Sequence, residues 1–256
     1  MSIAPKSPPA ASSGRADYGF DAPKVPIFLT LGGIAALCIA VVSVLLGWGV
    51  VETAWFGLVG VGTLACAAQY VHATRRGKHR AWAKILDSIA WRGDETVLDL
   101  GCGRGAVLIA AAQRIPRGRA VGVDIWDTAD QSGNSIEVTR RNAELEGVAD
   151  RVQLETADIR ELPFDAAEFD AVLSSLVLHN VHSPDDRRRA LEQAVRVLRP
   201  GGRLLVADIM HLTDYRSELE RLGLEGVTVR ELGSGTWFGN PFMRTRLVSG
   251  TKPAPA

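Results

Sequence analysis

The densest chemistry in the sequence lies between Val97 and Gly105. An apolar run closes on the carboxylate of Asp99. Gly101, Gly103 and Gly105 follow, with Cys102 and Arg104 between them. Glycines let a ligand touch the backbone. A helix starting just after them turns its unpaired N–H groups and positive dipole end toward the same point. A second apolar run ends on Asp124, at the spacing where an acid meets a ribose. Such a loop cradles a small polar cofactor at the C-terminal edge of neighbouring strands.

The glycine spacing narrows the choice of cofactor. Gly-x-Gly-x-Gly stands here, whereas a dinucleotide fingerprint reads Gly-x-Gly-x-x-Gly. Asp99 would repel two phosphates. It would tolerate a ligand that carries an ammonium or sulfonium beside its carboxylate, which favours S-adenosylmethionine over NAD. The three cysteines, Cys38, Cys66 and Cys102, are scattered. They give neither a disulfide framework nor a metal spacing, so no metal is expected. Cys102 reads as a reactive thiol or, the favoured reading, as a small residue that fits a tight loop.

Alternating elements position this loop. Strands are predicted at 96–100, 119–124, 151–156, 169–174 and 203–208, and helices at 106–114, 135–146 and 184–198. Ser183 caps the last helix and Pro184 opens it. Near-continuous apolar strands separated by amphipathic helices mean a mostly parallel sheet covered on both faces. The strand-like segments 227–232 and 243–249 have no helix between them, so they form an antiparallel pair. His179, Asn180 and His182 follow the fourth strand, and Asp208 and His211 the fifth. Ligands bind at that edge of open α/β sheets. His179 is the candidate catalytic residue, as a general base or as a polar lining group.

The N-terminal third is different. Residues 1–26 are rich in Pro, Ala and Ser and read as a disordered tail. Residues 27–51 and 53–71 are separated only by Glu52. Each run is long enough to cross a hydrocarbon core of about 30 Å, so 27–72 reads as a transmembrane helical hairpin. Trp48 and Trp55 suit an interfacial belt. Gly32, Ala36 and Ala40, and Gly62 and Cys66, are expected to let the helices approach closely. A cleaved signal peptide and a buried soluble hairpin are the rival readings. Lys6, Arg15 and Lys24 before the hairpin, and Arg75, Arg76, Lys78 and Arg80 after it, place both ends in the cytoplasm. Residues 73–93 are a basic amphipathic linker helix, with Trp82, Ile85, Leu86 and Ile89 on one face toward the core. Lysine plus arginine and aspartate plus glutamate are equal in number, 29 each. That balance argues against general nucleic-acid binding.

Residues 94–251 resemble the class I S-adenosylmethionine-dependent methyltransferases of the small-molecule type, near the ubiquinone and menaquinone biosynthesis group. Residues 252–256 remain as a tail. The motifs that carry the resemblance are Asp99 to Gly105, Gly122 to Ile125, Ala157 to Phe164, Phe169 to Val181 with Ser174 within it, and Leu198 to Leu204. The resemblance implies a Rossmann-like seven-stranded α/β sheet of order 3-2-1-4-5-7-6, with strand seven antiparallel. It also implies a cofactor site built from Asp99, Gly101, Cys102, Gly103, Gly105, Asp124, Ile125, Asp158, Ile159 and Ser174. In that site Asp124 would bind the ribose hydroxyls, Ile125 would pack on adenine, Asp158 would accept from the adenine amino group, and the Ile159 N–H would meet the ring. Asp124 and Asp158 as plain helix caps are the bland alternative.

The expected protein is a membrane-anchored methyltransferase with a small or lipophilic acceptor: a quinone, lipid, phenol or thiol. The alternative is a non-catalytic S-adenosylmethionine-binding scaffold at the membrane. The oligomeric state has no signature in the sequence. The polar loop 126–134 is expected to cover the adenosine or cap a helix. The aromatic segment 237–242 is expected to form a substrate wall, a membrane contact or hairpin core.

Overall fold

A computed structural model describes residues 15–128 and 131–254. The first apolar run forms α1 (Lys24–Leu45) and the second forms α2 (Val50–His72). The chain reverses at residues 46–49, so Glu52 sits in the first turn of α2 and not in the turn itself. The helices touch through Gly33 and Gly60. A Cβ on Gly60 would meet the Leu37 side chain and the Gly33 carbonyl, 3.0 Å away. Gly32 and Gly62, expected at the contact, face open space. The glycine contact is therefore shifted by one position in α1 and by two in α2, while Ala36 is buried as expected. Ser43 and Thr53 share a 2.7 Å hydrogen bond near the turn.

Both helices are long and apolar enough to cross a membrane. Only 17% of the most apolar window of α1 and 11% of that in α2 is buried, so neither is a core helix of this chain. Phe28, Leu31, Val50, Val51 and Leu58 all face outward. After α2 the helix widens into one π turn, Ala73–Gly77, and resumes as α3 (Lys78–Asp87). The π turn accommodates a close backbone approach, since a Cβ on Gly77 would overlap the Gly235 carbonyl. Trp82, Ile85 and Leu86 are buried, as the amphipathic spacing predicted.

The catalytic-type domain alternates β1 (Thr96–Leu100), α4 (Ala106–Ala112), β2 (Arg119–Asp124), α5 (Ile136–Leu145), β3 (Val152–Thr156), β4 (Phe169–Ser175), α6 (Pro184–Val197) and β5 (Leu198–Asp208). It closes with α7 (Leu212–Arg221), β6 (Glu225–Glu231) and β7 (Arg246–Thr251). The sheet order is β3-β2-β1-β4-β5-β7-β6. Strand β7 runs antiparallel to both of its neighbours, as expected. Strand β5 starts earlier than the expected 203, and residues 199–202 lie inside it, with Gly201 at a φ of +78°. Strand pattern alone assigns nothing to 212–221, where α7 lies. Its Leu212, Tyr215 and Leu219 are buried.

Two apolar layers flank the sheet. One joins Leu98, Leu100, Val172 and Val206 to α6 and α7. The other joins Val97, Leu173, Leu205 and Ala207 to α3 and α4.

The segment before α1 is not a loose tail over its described part. Residues 17–21 run across the domain. The Asp17 and Phe20 N–H groups donate to Asn142 and Ser132 side chains. Asp17 pairs with Arg104 at 2.9 Å, and Asp21 pairs with Lys78 at 2.7 Å. These polar partners lie far along the chain, so composition alone cannot reveal them. Residues 1–14 of the expected tail, including Lys6, lie outside the described residues. At the other end, Lys252 is fixed by hydrogen bonds from its ammonium to the Val195 and Leu198 carbonyls.

Candidate cofactor and acceptor site

The glycine loop lies between β1 and α4. Gly101, Gly103 and Gly105 all have positive φ, at +65°, +50° and +86°. An L side chain at any of the three would be strained, which explains why the sequence keeps glycine there. Asp99 points from β1 into the layer shared with Val97 and Leu173, beneath the loop. It is 1% exposed, and its Oδ1 has no hydrogen-bond partner. Burial, with a smaller push from Asp124, raises its carboxyl from 3.8 to about 8. The Leu108 N–H and Lys78 oppose that rise. A buried, unpartnered carboxylate is costly, and a cationic ligand group would supply the missing partner.

Asp124 holds the loop from the next strand. Its Oδ2 accepts from the Gly103 N–H at 2.7 Å. Its Oδ1 accepts from the Trp126 N–H at 2.6 Å and from the Asn134 amide at 3.2 Å. A carboxylate offers about four acceptor sites, so Oδ2 retains capacity for a ribose hydroxyl. Ile125, next in the chain, is 63% exposed. An apolar side chain left open at a strand tip is suited to packing on a planar ring.

Three of the expected contacts are changed by the structure. Cys102 turns its thiol under Gly122, its N–H donates to the Val123 carbonyl, and its carbonyl accepts from the Gly105 N–H. It packs the loop and has nothing left for a ligand. Its thiol is pushed well above the ordinary range by burial, which also removes the reactive-thiol reading. Ser174 pairs in register with Leu100. Strand alternation therefore turns it to the face opposite Asp99, and its Oγ is buried without a partner. Asp158 is gripped by Arg160, at 3.0 Å and 2.6 Å to its Oδ2. That guanidinium holds the Asp158 carboxyl below its usual range. Arg160 also reaches Asp186 at 2.9 Å. Ile159 is buried in the core layer on the side of α6.

Gln131 is a site residue that motif reading misses. Its Oε1 accepts from the Arg104 N–H at 2.8 Å and stands where a Cβ of Gly103 would be. Its Nε2 donates to the Tyr18 carbonyl. The polar loop 126–134 thus reaches back over the glycine loop, and Ser135 caps α5 through the Val138 N–H. The unusual length of that loop was the available signal. Residues 129 and 130 lie outside the described residues.

On the other face, His179 follows β4 in a short 3-10 turn. Its Nδ1 lies 2.6 Å from Oδ1 of Asp208, at an angle too oblique for an aligned hydrogen bond. Its N–H donates to Asp208 Oδ2 at 3.1 Å. Asp208, at the end of β5, is fully buried and also accepts from the Ile209 N–H at 2.7 Å. Burial raises the phenol of Tyr215, with Asp208 adding to the rise. By strand alternation Ser174 shares this face. Asn180 follows His179 in the same turn, and His182 is exposed, away from the pair. His211 opens α7 in the left-handed region, 3.6 Å from Asp214. Trp126, Leu176 and His211 all have positive φ just beyond β2, β4 and β5. Non-glycine residues in that region cost energy and cluster at functional edges.

Comparison with known proteins agrees with this geometry. Residues 97–202 match the family described as "Methyltransferase domain". The 27-O-demethylrifamycin SV methyltransferase of Amycolatopsis mediterranei (strain S699) is 36% identical over 154 residues, which are 59% of this chain and 51% of the relative. The chloroplastic 2-phytyl-1,4-beta-naphthoquinone methyltransferase of Arabidopsis thaliana is 32% identical over 136 residues, 52% of this chain and 49% of the relative. The chain thus spans about half the length of these curated relatives. The solved geranyl diphosphate methyltransferase in complex with S-adenosylmethionine superposes with a TM-score of 0.58 at 16% identity, covering 75% of this chain and 91% of that one. Residues 97–202 thus match a methyltransferase family, and the sheet has the fold of the solved methyltransferase.

Proposed function

We propose that the whole chain is a membrane-anchored S-adenosylmethionine-dependent methyltransferase acting on a small or lipophilic acceptor at the cytoplasmic face. One observation carries the reading: a buried Asp99 carboxyl, whose Oδ1 has no hydrogen-bond partner, lies beneath a loop of three positive-φ glycines. When bound, the cofactor supplies an activated methyl group on a sulfonium. Asp99 would hold the cationic end, and Asp124 would take the ribose. Ile125 would face the adenine. Asp158, paired with Arg160, and the Ile159 N–H would meet the same ring.

On the acceptor side, His179 is the proposed general base. Its Nε2 would take the acceptor's proton, and the bound cofactor would supply the methyl group. Asp208, 2.6 Å from Nδ1 and accepting from the His179 N–H, would hold the residue at this edge. Since the leaving group is good, most of the acceleration comes from positioning.

The hairpin is proposed as the anchor. Its outward apolar surface supports this, as do Trp48 and Trp55 near the turn and the 90% exposed Phe242 near the base. Lys24, Arg75, Arg76 and Arg80 favour a cytoplasmic base. Lys78 does not count among them, because it is paired with Asp21. Residues 27–72 are then the membrane unit, 73–93 the linker and 94–251 the catalytic domain. A quinone-type acceptor with an apolar tail is supported by the naphthoquinone methyltransferase relative.

The test is transfer of a labelled methyl group from S-adenosylmethionine by membranes carrying the full chain. Lipid extracts, quinols, phenols and thiols serve as acceptors. Incorporation lost in Asp99→Asn supports the reading. Cofactor binding without transfer to any class would favour the scaffold reading. No cofactor binding by folded protein would remove both.

A further inference from the structure

A cleft of about 380 Å³ opens at the base of the hairpin, lined by Phe20, Pro23, Pro26, Ile27, Leu31 and Val71 with Thr30. Its chemistry excludes a polar occupant. Pro23 and Pro26 bring no N–H donor. The one hydroxyl, of Thr30, is already used on the Pro26 carbonyl at 2.7 Å. The remaining side chains are apolar. On its outer side Ile27 is 56% exposed and Leu31 58%, on the same helix surface that would meet lipid tails.

The inner side leads to the reaction edge. Phe20 stacks on Tyr70, with ring centroids 6.2 Å apart. The pair belongs to a third apolar cluster with Ala73, Phe238, Leu176, Ile209 and Met243. Leu176 directly follows β4, three residues before His179. Ile209 directly follows Asp208. Packed apolar contacts therefore link Phe20 of the cleft to Leu176 and Ile209, which adjoin the edge where His179 and Asp208 meet.

We propose that this cleft binds the hydrocarbon chain of the methyl acceptor, entering sideways from the bilayer, so that the acceptor's polar head lies at the His179–Asp208 edge. This rests on the methyltransferase reading above and adds the substrate class: an amphiphile with a polar, methylatable head and a long apolar tail. A freely soluble small molecule would leave the cleft without use. A structural membrane lipid would have no reason to be led to the strand ends.

The test uses the full chain in lipid nanodiscs and a 1,4-naphthoquinone carrying an alkyl chain tipped with a photoreactive diazirine. Cross-links are mapped by mass spectrometry, with and without excess 2-phytyl-1,4-naphthoquinone. The expected result is cross-linking concentrated at Phe20, Ile27, Leu31 and Val71 and lost on competition. Leu31→Trp, which fills the cleft, should lower it to the level seen at Val51, while Val51→Trp should not. A titration with S-adenosylmethionine confirms that both variants fold. Even cross-linking along Val41, Val51 and Leu58 overturns the cleft while leaving methyl transfer intact. Cleft cross-linking that the phytyl quinone does not displace marks a site for bulk lipid chains and also overturns the proposal. Failure of the methyltransferase reading would show separately, as absent label transfer.

Discussion

His179 stands on two backbone and side-chain contacts to one buried carboxylate, and that makes its role measurable. Replacing it with alanine removes the proposed base, for which about a 100- to 10,000-fold loss of kcat is expected, with the cofactor Kd unchanged. Asp208→Asn should lower kcat as well, because His179 loses the charged neighbour that both its ring and its N–H meet. A loss of cofactor affinity in either variant would place the pair in the wrong half of the site. At this scale the positions of Asp99, Asp124 and the glycines at the ends of β1 and β2 were readable from spacing. It was less readable where a neighbour decides. Ser174 was assigned to the cofactor, but strand pairing turns it to the opposite face. Asp158 was read as free, but Arg160, two residues on, closes over it.

At the scale of elements, the hairpin depends on close backbone approach at one crossing. Gly60→Leu would drive a side chain into Leu37 and the Gly33 carbonyl, and a destabilisation of about 1–3 kcal/mol is expected. Gly62→Leu, facing open space, should be near neutral. Thermal unfolding in detergent distinguishes them, and equal effects would mean that the helices cross elsewhere. The absence of charge over two long runs disclosed both helices. It did not disclose which small residues touch, because helical rotation was set from composition alone. The order of β strands and crossover helices was legible from apolar periodicity. Helix α7 was not, since it begins after a left-handed His211 without a capping side chain. The strap of residues 17–21 was hidden for a different reason: its hydrogen bonds join residues more than 110 positions apart.

At the scale of the molecule, hairpin and domain are one folded unit. The strap, the base of α2 and the 234–240 loop interlock through Asp21–Lys78, Asp17–Arg104 and Gln69, whose amide donates to the Ser234 carbonyl at 2.8 Å. Deleting residues 1–72 uncovers Phe238 and leaves the nearly buried Lys78 unpaired. The truncated domain should therefore unfold at a lower temperature than the full chain in detergent, by several degrees if about 2 kcal/mol is lost. An unchanged midpoint would mean the hairpin is a mere tether.

The raised Asp99 carboxyl has its own whole-molecule signature. Its folded value lies above the unfolded value of 3.8, so the folded state binds the extra proton. Without ligand, its contribution to stability is greatest below the unfolded value and is lost as pH rises toward about 8. A cationic ligand group reverses the preference, because it binds the carboxylate. Calorimetric titration of the full chain with S-adenosylmethionine, in buffers of different ionisation enthalpy, tests this most directly. The expected result is saturable binding that releases a proton and tightens as pH rises toward 8. Both the proton release and the pH dependence should vanish in Asp99→Asn, with a loss of about 2 kcal/mol. Binding by the wild type with no proton release, or identical titrations for the two proteins, would contradict the account.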